Sequence, residues 1–562
     1  MSRTAAFVRT LLPGRADYAM LGSSWKSDLA AGITVGIVAL PLALAFGVSS
    51  GAGAAAGLVT AIVAGLVAAV FGGSNVQVSG PTGAMVVVLA PVLATHGLSV
   101  LPVVTILAGL IVLAAGVLKL GRAVTYIPWP VIEGFTLGIA AIIFLQQVPA
   151  AFGAKPGHST NAAVAAAQAL GSTDWTTLFW PVVLVLIVAA VMVLAPKVHP
   201  QLPGSIIGII VASVLAQLAH LPVATIGQLP HALPVPALPL ASPALLGTLI
   251  GPALTIAALA AIESLLSARV AAAISNTGPY DADRELAGQG LASVAAGFFG
   301  GMPATGAIAR TAVNIRSGAR SRLAAVIHAL VLLGVVYLGA DLVSQIPLAA
   351  LSGVLMVTAT RMVSLATLRS VIGSTRADTA VFFVTAVITV AFDLIQAVEI
   401  GIVVAAFFAL RSLAKSSGVH REELPGPAQD GDEQIGLFRL DGALFFGAAE
   451  RLLERVGGIR NVSVVILRMS QLQILDATGA KVVAELVTAL ERRGITVLIK
   501  GIQDRHLALV RRVGVLDSLR HQNHLFAELA PAVEHARSHV LRSRQSGGRP
   551  AVAEGPKPGA AP

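Results

Sequence analysis

Gly72-Gly73-Ser74-Asn75-Val76-Gln77-Val78-Ser79-Gly80-Pro81-Thr82-Gly83-Ala84 and Gly300-Gly301-Met302-Pro303-Ala304-Thr305-Gly306-Ala307 are the two stretches on which the reading of this chain turns. Each sets Gly-Gly ahead of a Pro, follows it with Thr-Gly-Ala, and runs on into a short apolar segment. Proline is favoured in the first helical turn, where its missing N–H costs nothing. The pattern predicts a helix started by each Pro part-way through a membrane, behind a length of extended backbone. Such backbone is tolerated at membrane depth only where it is buried in protein or lines a cavity.

The membrane itself follows from composition. Of the 562 residues, 56% are hydrophobic and 12% charged, against about 25% charged in a soluble protein. Residues 1–412 carry 18 basic and 12 acidic side chains, whereas residues 413–562 carry 20 and 16. The chain divides into a cytoplasmic N-terminal segment (1–28), a transmembrane domain (29–413), a linker (414–433), a soluble domain (434–540) and a disordered tail (541–562). Residues 1–28 hold no apolar core long enough for a signal peptide.

About fourteen apolar segments are legible, near 29–48, 52–72, 80–95, 99–118, 129–148, 177–195, 204–220, 244–268, 286–299, 303–315, 321–341, 347–366, 377–392 and 395–412. A spanning helix needs about 20 residues, so 80–95 and 303–315 are half-helices. They are third and tenth, seven apart. Seven is odd, so equivalent segments run in opposite directions, as in an inverted repeat. Their N-termini then face each other near the bilayer midplane with unpaired N–H groups and a partial positive charge. That is a site for a small anion.

With the N-terminus inside, Lys119, Arg122, Lys197, Arg269, Arg284, Arg316, Arg320, Arg322, Arg369, Arg376, Arg411 and Lys415 fall inside and Lys155 outside. This asymmetry predicts an inner-membrane protein with both termini cytoplasmic. The net charge of +10 is accounted for in the same way, without nucleic acid. The absence of cysteine excludes disulfides, thiolate metal sites and Cys nucleophiles. No Gly-rich Lys-Ser/Thr loop is present, so nothing points to ATP-driven transport. The twelve His read as scattered, without metal spacing; no enzyme chemistry and no cofactor is expected.

Charged groups inside apolar segments are functional candidates by default. Glu263 lies deep in the eighth segment with Ser264 and Ser267 near it, and a carboxyl there can carry a proton. Arg310 lies in the tenth segment just past Gly306-Ala307, where a guanidinium favours an anion. Glu133, Asp393 and Glu399 sit near segment ends and read as solvated. Asp281, Asp283 and Glu285 read as a loop cluster around Arg284. In the soluble domain, strands at 435–440, 462–469 and 495–501 alternate with helices at 478–492, 503–513 and 525–540, a small α/β pattern.

These residues resemble the SulP anion transporters, called solute carrier family 26 in animals. The likeness is carried by Asp28 to Val35, Ala39 to Gly47, Phe71 to Ser74, Ser79 to Gly83, Gly288-Gln289-Gly290 and above all Gly300 to Gly318, and by a C-terminal domain similar to STAS domains. The resemblance implies a seven-plus-seven inverted repeat with core and gate domains, and a site between segments 3 and 10. By position it implies Ser74, Thr82, Gly83, Gly306, Ala307 and Arg310 as substrate-binding residues and Glu263 as the coupling residue. Sodium-coupled bicarbonate members are similar in segments 1 to 3, but they have Asp at Glu263 and Thr at Ile308. Ile308 offers a hard cation no oxygen. Proton coupling is therefore expected ahead of sodium. Leu475-Asp476-Ala477-Thr478-Gly479 sits where anti-sigma antagonists carry a phosphorylated Ser or Thr, although Thr478 also reads as an N-cap.

The function expected is proton-coupled symport of bicarbonate, sulfate or a dicarboxylate by alternating access. The alternatives are a sodium-coupled bicarbonate symporter, a passive anion channel or exchanger, and a nucleobase symporter, which Arg310 disfavours. The partners expected are the anion, the lipid bilayer, a second copy in a homodimer, and a cytoplasmic protein at the STAS domain.

Overall fold

The computed structural model describes residues 10–122, 127–154, 157, 159, 161–171, 178–199, 202–392, 394–416, 418–445, 456 and 461–545. It divides into two compact units, Met1–Val403 and Val404–Pro562.

Fourteen helices follow the fourteen predicted segments: α1 (Leu21–Ser49), α2 (Ala54–Phe71), α3 (Gly83–His96), α4 (Leu101–Val117), α5 (Trp129–Ala151), α6 (Phe179–Val198), α7 (Gly204–Leu218), α8 (Pro243–Ile274), α9 (Ala282–Phe298), α10 (Ile308–Arg316), α11 (Leu323–Leu338), α12 (Leu348–Met362), α13 (Arg376–Ala391) and α14 (Leu394–Ser416). Among the described residues, seven helical spans are long and apolar enough to cross a membrane by themselves. Packing sorts them into two groups. In one, α9 lies on α4 and α2, and α11 lies on α1; in the other, α13 and α12 lie on α5, and α12 on α6. The contacts pair a helix of the first seven with one of the second seven, as an inverted repeat requires. Small residues make the close approaches possible: a Cβ at Gly109 or Gly290 would run into the backbone of the facing helix.

The third and tenth segments depart from the sequence reading in one respect. Neither Pro81 nor Pro303 starts its helix. The helices begin at Gly83 and Ile308. Two short strands flank the prolines instead, β1 (Ser79–Gly80) just before Pro81 and β2 (Thr305–Gly306) between Pro303 and its helix, paired antiparallel with Ser79 opposite Gly306 and Gly80 opposite Thr305. Extended backbone inside a membrane must find partners, and each arm uses the other. The ladder delays the start of α10 five residues beyond Pro303.

In the second unit, β3 (Gly418–Glu422), β4 (Ile435–Leu444), β5 (Val464–Arg468), β7 (Thr496–Lys500) and β8 (Leu525–Phe526) form a mixed sheet in that order, with β6 (Leu472–Leu475) pairing β4. Helices α15 (Ala477–Arg492), α16 (Asp504–Arg512) and α17 (Leu529–Gln545) accompany it. Ile466, Val497 and Ile499 on the strands are fully buried, as are Val483 and Leu486 of α15. Two boundaries shift. The stretch expected as linker (414–433) contributes β3, whose Glu422 pairs with Arg439 and Arg468. An edge strand of that polarity reads as linker in sequence. Helix α17 runs on to Gln545, into the stretch expected as tail; the rest of that tail, 546–562, lies outside the described residues, as does Lys155. Thr478 is exposed in the first turn of α15. The cap is Asp476, whose carboxylate accepts from the Gly479 N–H at 2.7 Å.

Candidate anion and proton site

The site is built where the two arms cross. The arm before α3 is held by Glu285, which accepts from the N–H groups of Gly73 (2.8 Å) and Ser74 (3.2 Å). Further along, the Val78 N–H donates to Thr311 Oγ1 and Asn314 donates to the Val76 carbonyl. The arm before α10 is held by Thr105, donating to the Gly301 carbonyl, by Thr60, accepting from the Met302 N–H at 2.7 Å, and by Ser293, accepting from the Ala304 N–H. Side-chain hydroxyls and one carboxylate thus do for irregular backbone what a helix does for itself. Asp28 anchors the far end, accepting from Ser24, Ser321 and the N–H groups of Arg320 and Ser321.

Glu263 of α8 reaches the crossing. Its Oε2 accepts a hydrogen bond from Thr82 Oγ1 on one arm and lies 2.7 Å from Thr305 Oγ1 on the other, as it does from Thr82. The two hydroxyls are 3.1 Å apart. One carboxylate oxygen therefore ties both half-helices together. Ser264, next along α8, accepts from the Gly306 N–H through its hydroxyl at 3.1 Å. Its carbonyl accepts from Gln77.

Arg310 is 2% exposed. Its Nη2 donates to the carbonyl of Pro81 on the opposite arm, and its Nη1 has no hydrogen-bond partner among the described residues. Gly80 makes this possible. Its φ is +153°, and a Cβ there would stand 2.7 Å from Arg310 Nη1. The guanidinium is thus held at the crossing through the opposite arm.

The residues expected from sequence are distributed as follows. Thr82, Gly83, Gly306, Ala307, Arg310 and Glu263 converge. Ser74 does not; it stays with Glu285 at the start of its arm. The N–H groups of Gly306 and Ala307 are already engaged, by Ser264 and by the Val78 carbonyl. The donors left without an intrahelical acceptor are those of the first turns, Gly83 to Met85 and Ile308 to Arg310. Ile308, 40% exposed, presents an apolar side chain at the second of these openings. Thr305 was legible as the counterpart of Thr82 in the repeated Thr-Gly-Ala. Ser264, Gln77 and Thr311 carry no such signal. Glu285 is no loop residue: it is 1% exposed and accepts from Gln289 as well. Asp281 caps α9, and Arg284 pairs with Asp17 at 2.8 Å.

Two half-helices meeting at a half-buried carboxyl in an inverted repeat, followed by a separate α/β unit, are the frame of an anion-transporter fold. The sulfate permease family pattern matches residues 25–385 and the STAS domain pattern residues 427–532; the chain belongs to the SulP family of sulfate and bicarbonate transporters. It is 34% identical over 514 residues to YvdB of Bacillus subtilis, whose name assigns it provisionally to sulfate, covering 89% of this chain and 96% of that one. It is 32% identical over 502 residues to the bicarbonate transporter BicA of Synechocystis, covering 85% and 88%. The solved transmembrane domain of a cyanobacterial BicA is similar with a TM-score of 0.60 at 32% identity, over 67% of this chain and 97% of that one. The structure of SLC26A9 shares the fold across 97% of this chain and 96% of that one, with a TM-score of 0.79 at 18% identity.

Proposed function

We propose that this multi-pass membrane protein takes up a small oxyanion or carboxylate (bicarbonate, sulfate or a dicarboxylate) together with a proton carried by Glu263. The observation that carries the reading is the sharing of Glu263 Oε2 between Thr82 and Thr305. While the carboxylate is ionised it engages both arms and repels an anion in front of them. Taking up a proton at Oε2 removes that repulsion and frees a hydroxyl to turn toward the anion. The anion is then held by the N–H groups of the first turns of α3 and α10, with Arg310 behind them supplying positive potential. Proton and anion each make room for the other, which is coupling in the thermodynamic sense. The loaded site changes sides by movement of one helix group against the other.

The basic residues support an inner-membrane orientation with both termini in the cytoplasm. We extend the reading to a homodimer whose STAS domain meets a cytoplasmic protein. The second reading is bicarbonate transport driven by sodium; the 32% identity to BicA favours bicarbonate as the anion. Ile308, standing open at the start of α10 without an oxygen to offer, weighs against a sodium site there. Proteoliposomes separate the two. Labelled bicarbonate, sulfate and succinate are offered under an inward proton gradient, with and without a protonophore, and under an inward sodium gradient at constant pH. Uptake driven by protons and abolished by the protonophore is the expected result. Uptake that follows sodium alone overturns proton coupling.

A further inference from the structure

His524, His535 and His539 come together in the second unit, although the sequence spreads them over two segments. His535 and His539 are one turn apart on α17 and share a face. Their Nε2 atoms are 3.2 Å apart, and the rings are 4.9 Å apart between centroids. His524 enters from the short turn before β8, with its ring 5.5 Å from each of the other two. One ring nitrogen from each of the three falls within 4.8 Å of the others. His521 stands at the rim, 5.6 Å from His524.

Packing alone does not explain this arrangement. His524 is 1% exposed, and its Nδ1 has no hydrogen-bond partner among the described residues. An unsatisfied buried nitrogen costs about 1–3 kcal/mol, and a Leu or Phe at this place would avoid the cost. The 3.2 Å between the two Nε2 atoms is also near the spacing of two ligands on one tetrahedral ion. Zinc–nitrogen bonds of about 2.0–2.1 Å place such ligands roughly 3.3–3.4 Å apart. Two His at i and i+4 on one helix face are a recurrent half of a zinc site. Imidazole donors without thiolate or carboxylate select zinc, copper or nickel over magnesium and calcium.

We propose that His524, His535 and His539 form a binding site for a divalent transition-metal ion of the zinc class on the STAS domain. The fourth position faces the rim at His521 and is open to water. His535 and His539 are already set on a rigid helix; His524 closes on them by a small shift of the turn before β8. Occupancy ties that turn to α17, so the ion pins the last strand of the sheet to the last helix. The site lies outside the transport unit and rests on nothing argued above about protons or anions.

The test uses the full-length protein, free of any affinity tag, purified in detergent and stripped with EDTA. Cobalt(II) is titrated in and followed by visible d–d absorption, and zinc(II) is then added as competitor. The expected result is one cobalt per chain at micromolar concentration, with an intense visible band that zinc erases. His535→Gln with His539→Gln should weaken binding 100-fold or more while leaving the metal-free melting temperature within a few degrees. His231→Ala, an exposed residue of the transport unit, should change nothing. Absence of a band below millimolar cobalt, or a double Gln variant that binds like the parent, overturns the proposal. If the Gln variant does not fold, His524→Asn provides the same readout, because it removes one ligand from the turn and leaves α17 intact.

Discussion

The two arms that meet at Glu263 begin from one motif and end differently. The arm leading into α3 is enclosed: Ala84 to Leu89 are all buried, and its Thr82 is the residue just ahead of the helix. The arm leading into α10 places its Thr two residues before the cap, opens with exposed Ile308 and Ala309, and then sends Arg310 back across the crossing to Pro81. One arm is a packed support; the other carries the charge and the opening. An inverted repeat duplicates a backbone, and the difference between the copies supplies the polarity that the proposed site for an anion and a proton needs.

The strongest way to break this comparison is Arg310→Ala. A charge-assisted contact contributes about 1.5–3 kcal/mol, so apparent anion affinity should fall roughly 10-fold to over 100-fold. The check is the concentration dependence of uptake by a variant of unchanged yield. Unchanged affinity would reduce Arg310 to a strut between the arms. Next come Thr82→Val and Thr305→Val. Each removes one hydroxyl from the same carboxylate oxygen, so both should lower proton-driven uptake by roughly 10-fold, on the scale of one hydrogen bond to a charged group. A loss confined to one of them shows that a single arm holds Glu263. Gly80→Ala attacks the enclosed arm alone. Its φ and the nearness of Arg310 Nη1 predict a loss of about 1–3 kcal/mol, read as a lowered melting temperature in detergent. The smallest effect lies outside the arms. Arg537 holds Asp432 through two bonds of 2.8 Å, and this hydrogen bonding outweighs burial to keep the carboxyl below its ordinary 3.8. A lowered value stabilises the fold above the ordinary value, and the contribution is lost as pH falls through the lowered one. Asp432→Asn should therefore cost at most about 1 kcal/mol at pH 7. The difference from the parent should shrink progressively as pH falls below the ordinary 3.8 in unfolding measurements.

The helices were legible because membrane segments announce themselves by length and apolarity, and fourteen of them fall where the hydropathy places them. The crossing was legible in outline from the repeated Gly-Gly, Pro and Thr-Gly-Ala. What sequence could not supply was the means by which the two arms satisfy each other. The β1–β2 ladder is two residues a side, with no alternation to detect, and Pro303 points to a helix start that the ladder postpones. Thr60, Ser293 and Thr105 sit in continuous apolar runs, where a lone hydroxyl usually bonds only its own helix; here they also reach the backbone of a different segment. Glu285 was misread because its neighbours Asp281 and Asp283 are true helix-start residues. The histidines read as scattered because β8 and α17 bring positions 524, 535 and 539 together only after the chain turns back.

Glu263 as the proton carrier is the claim on which the rest depends. Glu263→Gln keeps the shape and a hydrogen-bonding group but cannot exchange a proton. In proteoliposomes, this variant and the parent are compared in two assays with the same labelled anion: exchange against unlabelled anion at equal pH, and accumulation after a step to lower external pH. The account predicts that the parent does both, while Glu263→Gln still exchanges but no longer accumulates. Accumulation by Glu263→Gln in response to the pH step would contradict it.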